Sequence, residues 1–302
     1  MSKNSPHMST QVRSLLAAMA TIIMWASAFP FTRFLLEQYS PGAIMVLRFS
    51  LASIILIVIS IIKKIKLPKV KDLPMFFAFG IVGVFAYSFF FNTGSSYVVA
   101  GVSSFIVSSA PVFTIILARI FLKEIIKPAA WFGVAISFSG LMVVMLSQTG
   151  RVSLNVGVLL LVGAAICASV LNITQRILVR KYTALEATTY AMIIGTIFMF
   201  IYLPEGIAEF RESTLPANLA LIYLAIFPAV LAYITWGYAL SKVEKTTQVT
   251  VFIYLIPFLS SLIGFFWLGE TFSIWSLLGG VIIIGGMVLT NIFGRASTPF
   301  SK

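Results

Sequence analysis

A chain of 302 residues with 60% hydrophobic and only 10% charged side chains, at a mean hydropathy of +1.04, cannot be a soluble globular domain, whose surface takes roughly 25% charged residues. The net charge of +12 does not mark a nucleic-acid binder, because the basic residues fall in short segments between apolar runs rather than on one face of a domain. The single cysteine, Cys167, excludes an intrachain disulfide; the single histidine, His7 in the polar N-terminal tail, excludes a histidine metal site or proton relay within a membrane.

Long apolar runs read as membrane spans. Ten are expected, at about 14–35, 43–62, 73–96, 102–122, 129–148, 154–175, 186–204, 217–240, 247–269 and 274–294. The fold class is therefore all-α integral membrane protein. The first run is too long and too poorly bounded for a cleaved signal peptide. The 46 positions from Leu73 to Ala118 hold no charge, enough for two spans around a tight turn near residues 98–101. No connection is long enough to fold separately. Seventeen of the 21 Lys and Arg fall on the side that also carries the N-terminus, leaving Arg33, Arg48, Arg151 and Arg211 opposite. This bias puts both termini in the cytoplasm, with the protein multi-pass in the inner (plasma) membrane.

The two halves of the sequence repeat. One offset, 146, carries Ala86-Tyr87 to Ala232-Tyr233, Pro111 to Pro257, Glu124 to Glu270, Gly133 to Gly279 and Gly140 to Gly286. A weaker match, at offset 142, relates Trp25-Ala-Ser-Ala-Phe-Pro-Phe-Thr32 to Cys167-Ala-Ser-Val-Leu-Asn-Ile-Thr174. Ten spans in two copies give five each, in segments 1–148 and 149–302. Five is odd, so the second copy enters the membrane from the opposite side. Inverted repeats of this kind recur in transporters.

These motifs resemble the drug/metabolite transporter superfamily, in its ten-helix EamA type. The carrying residues are Trp25-Ala-Ser27, Pro111, Leu122-Lys-Glu124 and Gly133/Gly140, then Pro257, Leu268-Gly-Glu270 and Gly279/Gly286. Cys167 stands where a second Trp is expected, and Lys123 where a Gly is. Within the superfamily the chain looks most like the YddG-type exporters of aromatic amino acids and related metabolites. The resemblance implies a small-molecule carrier working by alternating access, without cofactor, metal or nucleic-acid partner, in contact with the lipid bilayer. It does not fix the oligomeric state.

The substrate-site candidates are rings and polar groups near span centres: Trp25, Tyr87, Ser108, Asn172, Tyr233, Trp236 and Tyr254. Flat rings supply stacking area and their polar tips fix a ligand, although many rings in so aromatic a chain simply face lipid or core. Pro30, Pro111 and Pro257 are hinge or gating candidates. Proline inside a helix frees the carbonyl four residues back, at Val107 and Ile253 for the latter two, and either lines a cavity or makes a static kink. Glu124 and Glu270 either cap the following helix or act as coupling carboxylates. Arg48, near the outer end of the second span, is a candidate partner for Glu270. The glycines spaced by seven make a close-packing face, within the bundle or toward a second copy. With no His, no carboxylate pair and no activated nucleophile in the spans, an enzyme is not expected. The absence of a mid-span acid argues against a proton-driven cation pump and favours a neutral or zwitterionic substrate.

Overall fold

The computed structural model describes residues 10–98, 100–149, 156–268 and 274–293, which are predominantly helical and contain no strand. In chain order the helices are α1 (Thr10–Leu35), α2 (Pro41–Lys63), α3 (73–97), α4 (100–121), α5 (Pro128–Thr149), α6 (Val156–Leu178), α7 (Ala184–Glu212), α8 (Leu215–Ser241), α9 (247–268) and α10 (Ile274–Phe293). Seven of them, α1–α4 and α6–α8, are long and apolar enough to cross a membrane. The apolar stretches within α5, α9 and α10 are shorter among the described residues. Large apolar side chains such as Ile61, Ile62, Phe132, Leu159 and Phe266 are exposed on the outside. Hydrocarbon suits that surface, and it also explains the helices: without water, each backbone polar group must be satisfied within its own segment.

Helix starts follow ordinary capping chemistry. The Ser40 hydroxyl accepts from the Ala43 N–H ahead of Pro41, and Thr183 forms a reciprocal capping box with Glu186 ahead of α7. These caps begin the second helix of each half, 143 residues apart.

Packing pairs each half with the other: α1 lies on α8, α3 on α6, α2 on α7, α4 on α9 and α5 on α10. Exchanging the halves leaves this scheme unchanged. Thr21–Thr235 (2.7 Å) and Ser27–Tyr223 (2.8 Å) join α1 to α8, and Ser53–Thr196 (2.8 Å) joins α2 to α7. On α5 and α10, Gly133 meets the Gly286 backbone and Gly140 the Gly279 backbone. The glycine faces are therefore consumed by packing within the chain.

The irregularities repeat as well. α3 is π-helical over Ala78–Ala86 and α8 over Ala225–Leu231, nearly the same positions once 146 is added. Pro228 lies inside the second stretch and cannot donate to the ladder. Tyr87 directly follows the first π segment, and Tyr233 follows the second after one residue.

The prolines of α4 and α9 correct the expected kink. α4 is broken rather than bent, and α9 changes helix type without a break. α4 stops at Val107, turns through Ser108 and Ser109, and resumes at Ala110. α9 passes through a 3₁₀ stretch, Val251–Leu255, and resumes as α-helix at Ile256. Pro111 and Pro257 are thus the second residues of new helical segments, where a missing N–H costs little. Pro30, by contrast, lies buried inside continuous helix α1.

At the end of α4 the Leu122 and Glu124 N–H groups both return to the Ala118 carbonyl (3.0 and 3.3 Å). This wrap holds Lys123 at φ 53°, a conformation that suits glycine and strains other residues. Lys123→Gly is expected to leave stability unchanged or raise it by up to about 1 kcal/mol, whereas Lys123→Val lowers it by a similar amount. Melting of the purified protein in detergent checks the pair; equal melting of the two variants refutes the strain argument.

Candidate functional site

Between the halves lies a cavity of about 50 Å³, room for a few waters. Its wall repeats by the same offset: Tyr87 with Tyr233, Val107 with Ile253, and Ala110 with Ile256. Val107 and Ala110 flank the break in α4, while Ile253 and Ile256 sit at the matching irregularity in α9. Trp25, Phe29, Phe91, Asn172 and Arg48 complete most of the lining.

The walls combine five aromatic rings with aliphatic side chains. On one side Phe29 meets Phe91 edge-on at 5.2 Å, and Tyr87 stacks on Phe91 at 5.8 Å with an interplanar angle of 1°. On the other, Trp25 meets Tyr233 edge-on at 5.9 Å, and Tyr233 stacks over Phe79 at 6.5 Å. The Trp25 indole N–H donates to the Pro228 carbonyl at 3.2 Å, within the π segment of α8. Such contacts fix ring orientation beyond simple burial.

Of the seven substrate-site candidates, Trp25, Tyr87, Asn172 and Tyr233 share this wall. Trp236, Ser108 and Tyr254 are fully buried and do not line it. Trp236 stands behind the wall, donating its indole N–H to the Asn172 carbonyl oxygen at 2.9 Å. The Asn172 amide donates in turn to the Thr114 hydroxyl at 3.1 Å. Asn172 therefore holds α6 against α4 and α8. Ser108 and Tyr254 are related by the 146 offset, and both hydroxyls are buried without a hydrogen-bond partner among the described residues.

Arg48 lines the central cavity; its candidate partner Glu270 lies outside the described residues, so the pair is not tested. Glu124 does not cap α5, the helix that follows it. Because the α4 end wraps back, its carboxyl oxygens cross to the other half and accept from the Thr246 N–H (3.1 Å each) and hydroxyl (2.8 Å). Beside it the Lys245 ammonium donates to the Ile125 carbonyl. Arg176 donates to the Leu240, Val243 (2.6 Å) and Glu244 (3.0 Å) carbonyls. These contacts fasten the connection between α8 and α9. Sequence spacing alone could not place Arg48, Phe29 and Phe91 in one wall, since facing depends on the rotation of each helix.

The wall chemistry, several rings with one cation and two phenols, suits a small, flat, apolar body with a polar end, larger than the cavity of this structure admits. It contains no nucleophile–base pair among its lining residues. Six of the wall residues form three matching pairs, and the family match also falls in two segments. The EamA-like transporter family model matches residues 12–146 and 155–292. The "Probable terminal-alkyne amino-acid exporter" of Streptantibioticus cattleyicolor is 32% identical over 292 residues, covering 95% of this chain and 98% of its own. The "Uncharacterized transporter YdfC" of Bacillus subtilis is 32% identical, with 93% and 92% covered. An "Uncharacterized transporter" of Archaeoglobus fulgidus is 34% identical, with 88% and 94% covered. A solved crystal structure, 18% identical, superposes with a TM-score of 0.76 over 93% of this chain and 97% of its own, which shows a shared fold. The chain is a membrane protein of the EamA-like transporter family.

Proposed function

We propose that this protein exports small metabolites, aromatic or other neutral amino acids foremost, by alternating access through the central cavity. The observation that carries this reading is the cavity wall of residue pairs repeated at one offset, set between halves whose packing survives their exchange. Ten spans in two inverted five-helix repeats, 1–148 and 149–302, account for that exchange, with both termini cytoplasmic as the Lys and Arg distribution requires. The protein then belongs in the inner (plasma) membrane, close to the YddG-type exporters; the relative named a probable terminal-alkyne amino-acid exporter supports amino-acid export. Trp25, Tyr87, Asn172 and Tyr233 serve as substrate contacts. The break before Pro111 and the 3₁₀ segment before Pro257, with Pro30 in α1, let the wall move. Movement is needed, because about 50 Å³ admits a few waters but not an amino-acid side chain.

The test is flux of labelled aromatic amino acids through purified protein in liposomes, with and without a pH gradient. Saturable flux driven by the amino-acid gradient alone is expected, falling at least about tenfold in Tyr87→Ala and Tyr233→Ala through loss of stacking area. Flux that requires the pH gradient would instead assign coupling to Glu124 or Glu270. No flux of any aromatic amino acid would discard the substrate assignment.

A further inference from the structure

We propose that Arg48 is the binding group for a substrate carboxylate, so that the transported compounds are carboxylic acids or zwitterions and not amines or uncharged drugs. This inference rests on the central cavity being the transport site.

Arg48 is 7% exposed and reaches the cavity wall from α2. Its guanidinium lies 5.1 Å from the Phe49 ring centroid, and its buried Nε has no hydrogen-bond partner among the described residues. No carboxylate among those residues forms an ion pair with it; the ion pair found there is Lys181–Asp72 at 2.6 Å. A cation held at membrane depth without a partner is expensive.

Arg176, whose buried Nε also lacks a partner among the described residues, shows how this chain satisfies the terminal nitrogens of a structural arginine. It is buried to the same degree, at 6% exposure, and donates to three backbone carbonyls. Arg48 has no such set among the described residues. Nor does the fold need a charge at this position. The caps Ser40 and Thr183 align α2 with α7 at an offset of 143, which puts Ala191 opposite Arg48. Ala191 packs instead against Gly80.

The remaining polar atoms of the wall point the same way. The Asn172 amide is engaged by Trp236 and Thr114. The Tyr87 and Tyr233 hydroxyls make no hydrogen bond among the described residues, and each can donate to an anion. A guanidinium fork with two phenols beside it matches the two oxygens of a carboxylate. The neighbouring rings take the apolar remainder.

Four probes isolate the group: L-phenylalanine, 3-phenylpropanoate, L-phenylalaninamide and phenethylamine, with L-leucine and L-leucinamide as an aliphatic pair. Binding to the purified full-length protein is read from ligand-induced thermal stabilisation. The acids are expected to bind about 100-fold more tightly than the amide or amine of the same skeleton. Arg48→Gln should erase that preference, and Arg48→Lys should retain part of it. Equal binding of acid and amide, a preference that survives Arg48→Gln, or no response to any probe overturns the inference. Where Arg48→Gln fails to fold, the wild-type comparison decides alone. An acid preference confined to the leucine pair would sustain the role of Arg48 and remove the aromatic assignment. Binding of the aromatic probes without acid preference would do the reverse.

Discussion

Gly140→Ala and Gly286→Ala are each expected to destabilise the protein by about 2–3 kcal/mol, and the corresponding valine variants by more, to the point of losing folded yield. A Cβ on Gly140 would lie 2.7 Å from the Gly279 carbonyl oxygen and 2.8 Å from the Ile283 nitrogen. On Gly286 it would meet the Gly133 carbonyl oxygen and the Ser137 nitrogen, both at 2.5 Å. Those neighbours are backbone and cannot swing aside. The two helices must separate, and the Ser137 hydroxyl loses its 3.2 Å bond to the Ile283 carbonyl. Gly285 is the internal control, because nothing lies within 4 Å of its added Cβ. Gly285→Ala should be neutral or slightly stabilising, by up to about 1 kcal/mol, from helix propensity alone. Melting followed by size-exclusion chromatography in detergent separates the cases. If all three alanine variants melt together, close contact of α5 and α10 is not what holds this seam.

Glu124→Ala is the second large effect, a loss of about 2–4 kcal/mol in stability. The substitution strips the acceptor from the Thr246 N–H and hydroxyl, and Thr246 is fully buried. Stranded donors cost their full desolvation. Glu124→Gln keeps one acceptor oxygen and should lose less than half as much. The same pair of variants tests the role of the carboxyl group in transport. As a cross-half fastening, Gln should support flux with an unchanged pH profile. A flattened profile in Glu124→Gln would instead mark a proton-coupling group and refute the structural assignment.

The repeat at offset 146 made much of the architecture legible. It paired Tyr87 with Tyr233 before any contact was known, and it marked Pro111 and Pro257 as equivalent. What it hid was phase. A π segment inserts an extra residue into the turn and rotates everything after it, so ordinary helical spacing misplaces the faces beyond Ala86 and Leu231. Trp236 was read as a ligand contact, yet its indole goes to Asn172. Arg48 was read from its depth near one end of a span, but a long side chain reaches well away from its Cα. From sequence Glu124 reads as a cap of the following helix or a coupling carboxylate; Lys123 in the left-handed conformation turns it toward the other half.

Because the pairing of helices maps onto itself when the halves are exchanged, the proposed alternating access gives each arrangement of that pairing a twin in which the halves trade roles. Two identical halves would give twins of equal free energy, each populated equally. Any resting preference must therefore originate where the halves differ, at positions such as Arg48 against Ala191, Ser108 against Tyr254, and Lys123 against Gly269. Under the proposed alternating access the shared helix pairing supplies the pair of states, and the positions at which the halves differ set the balance between them.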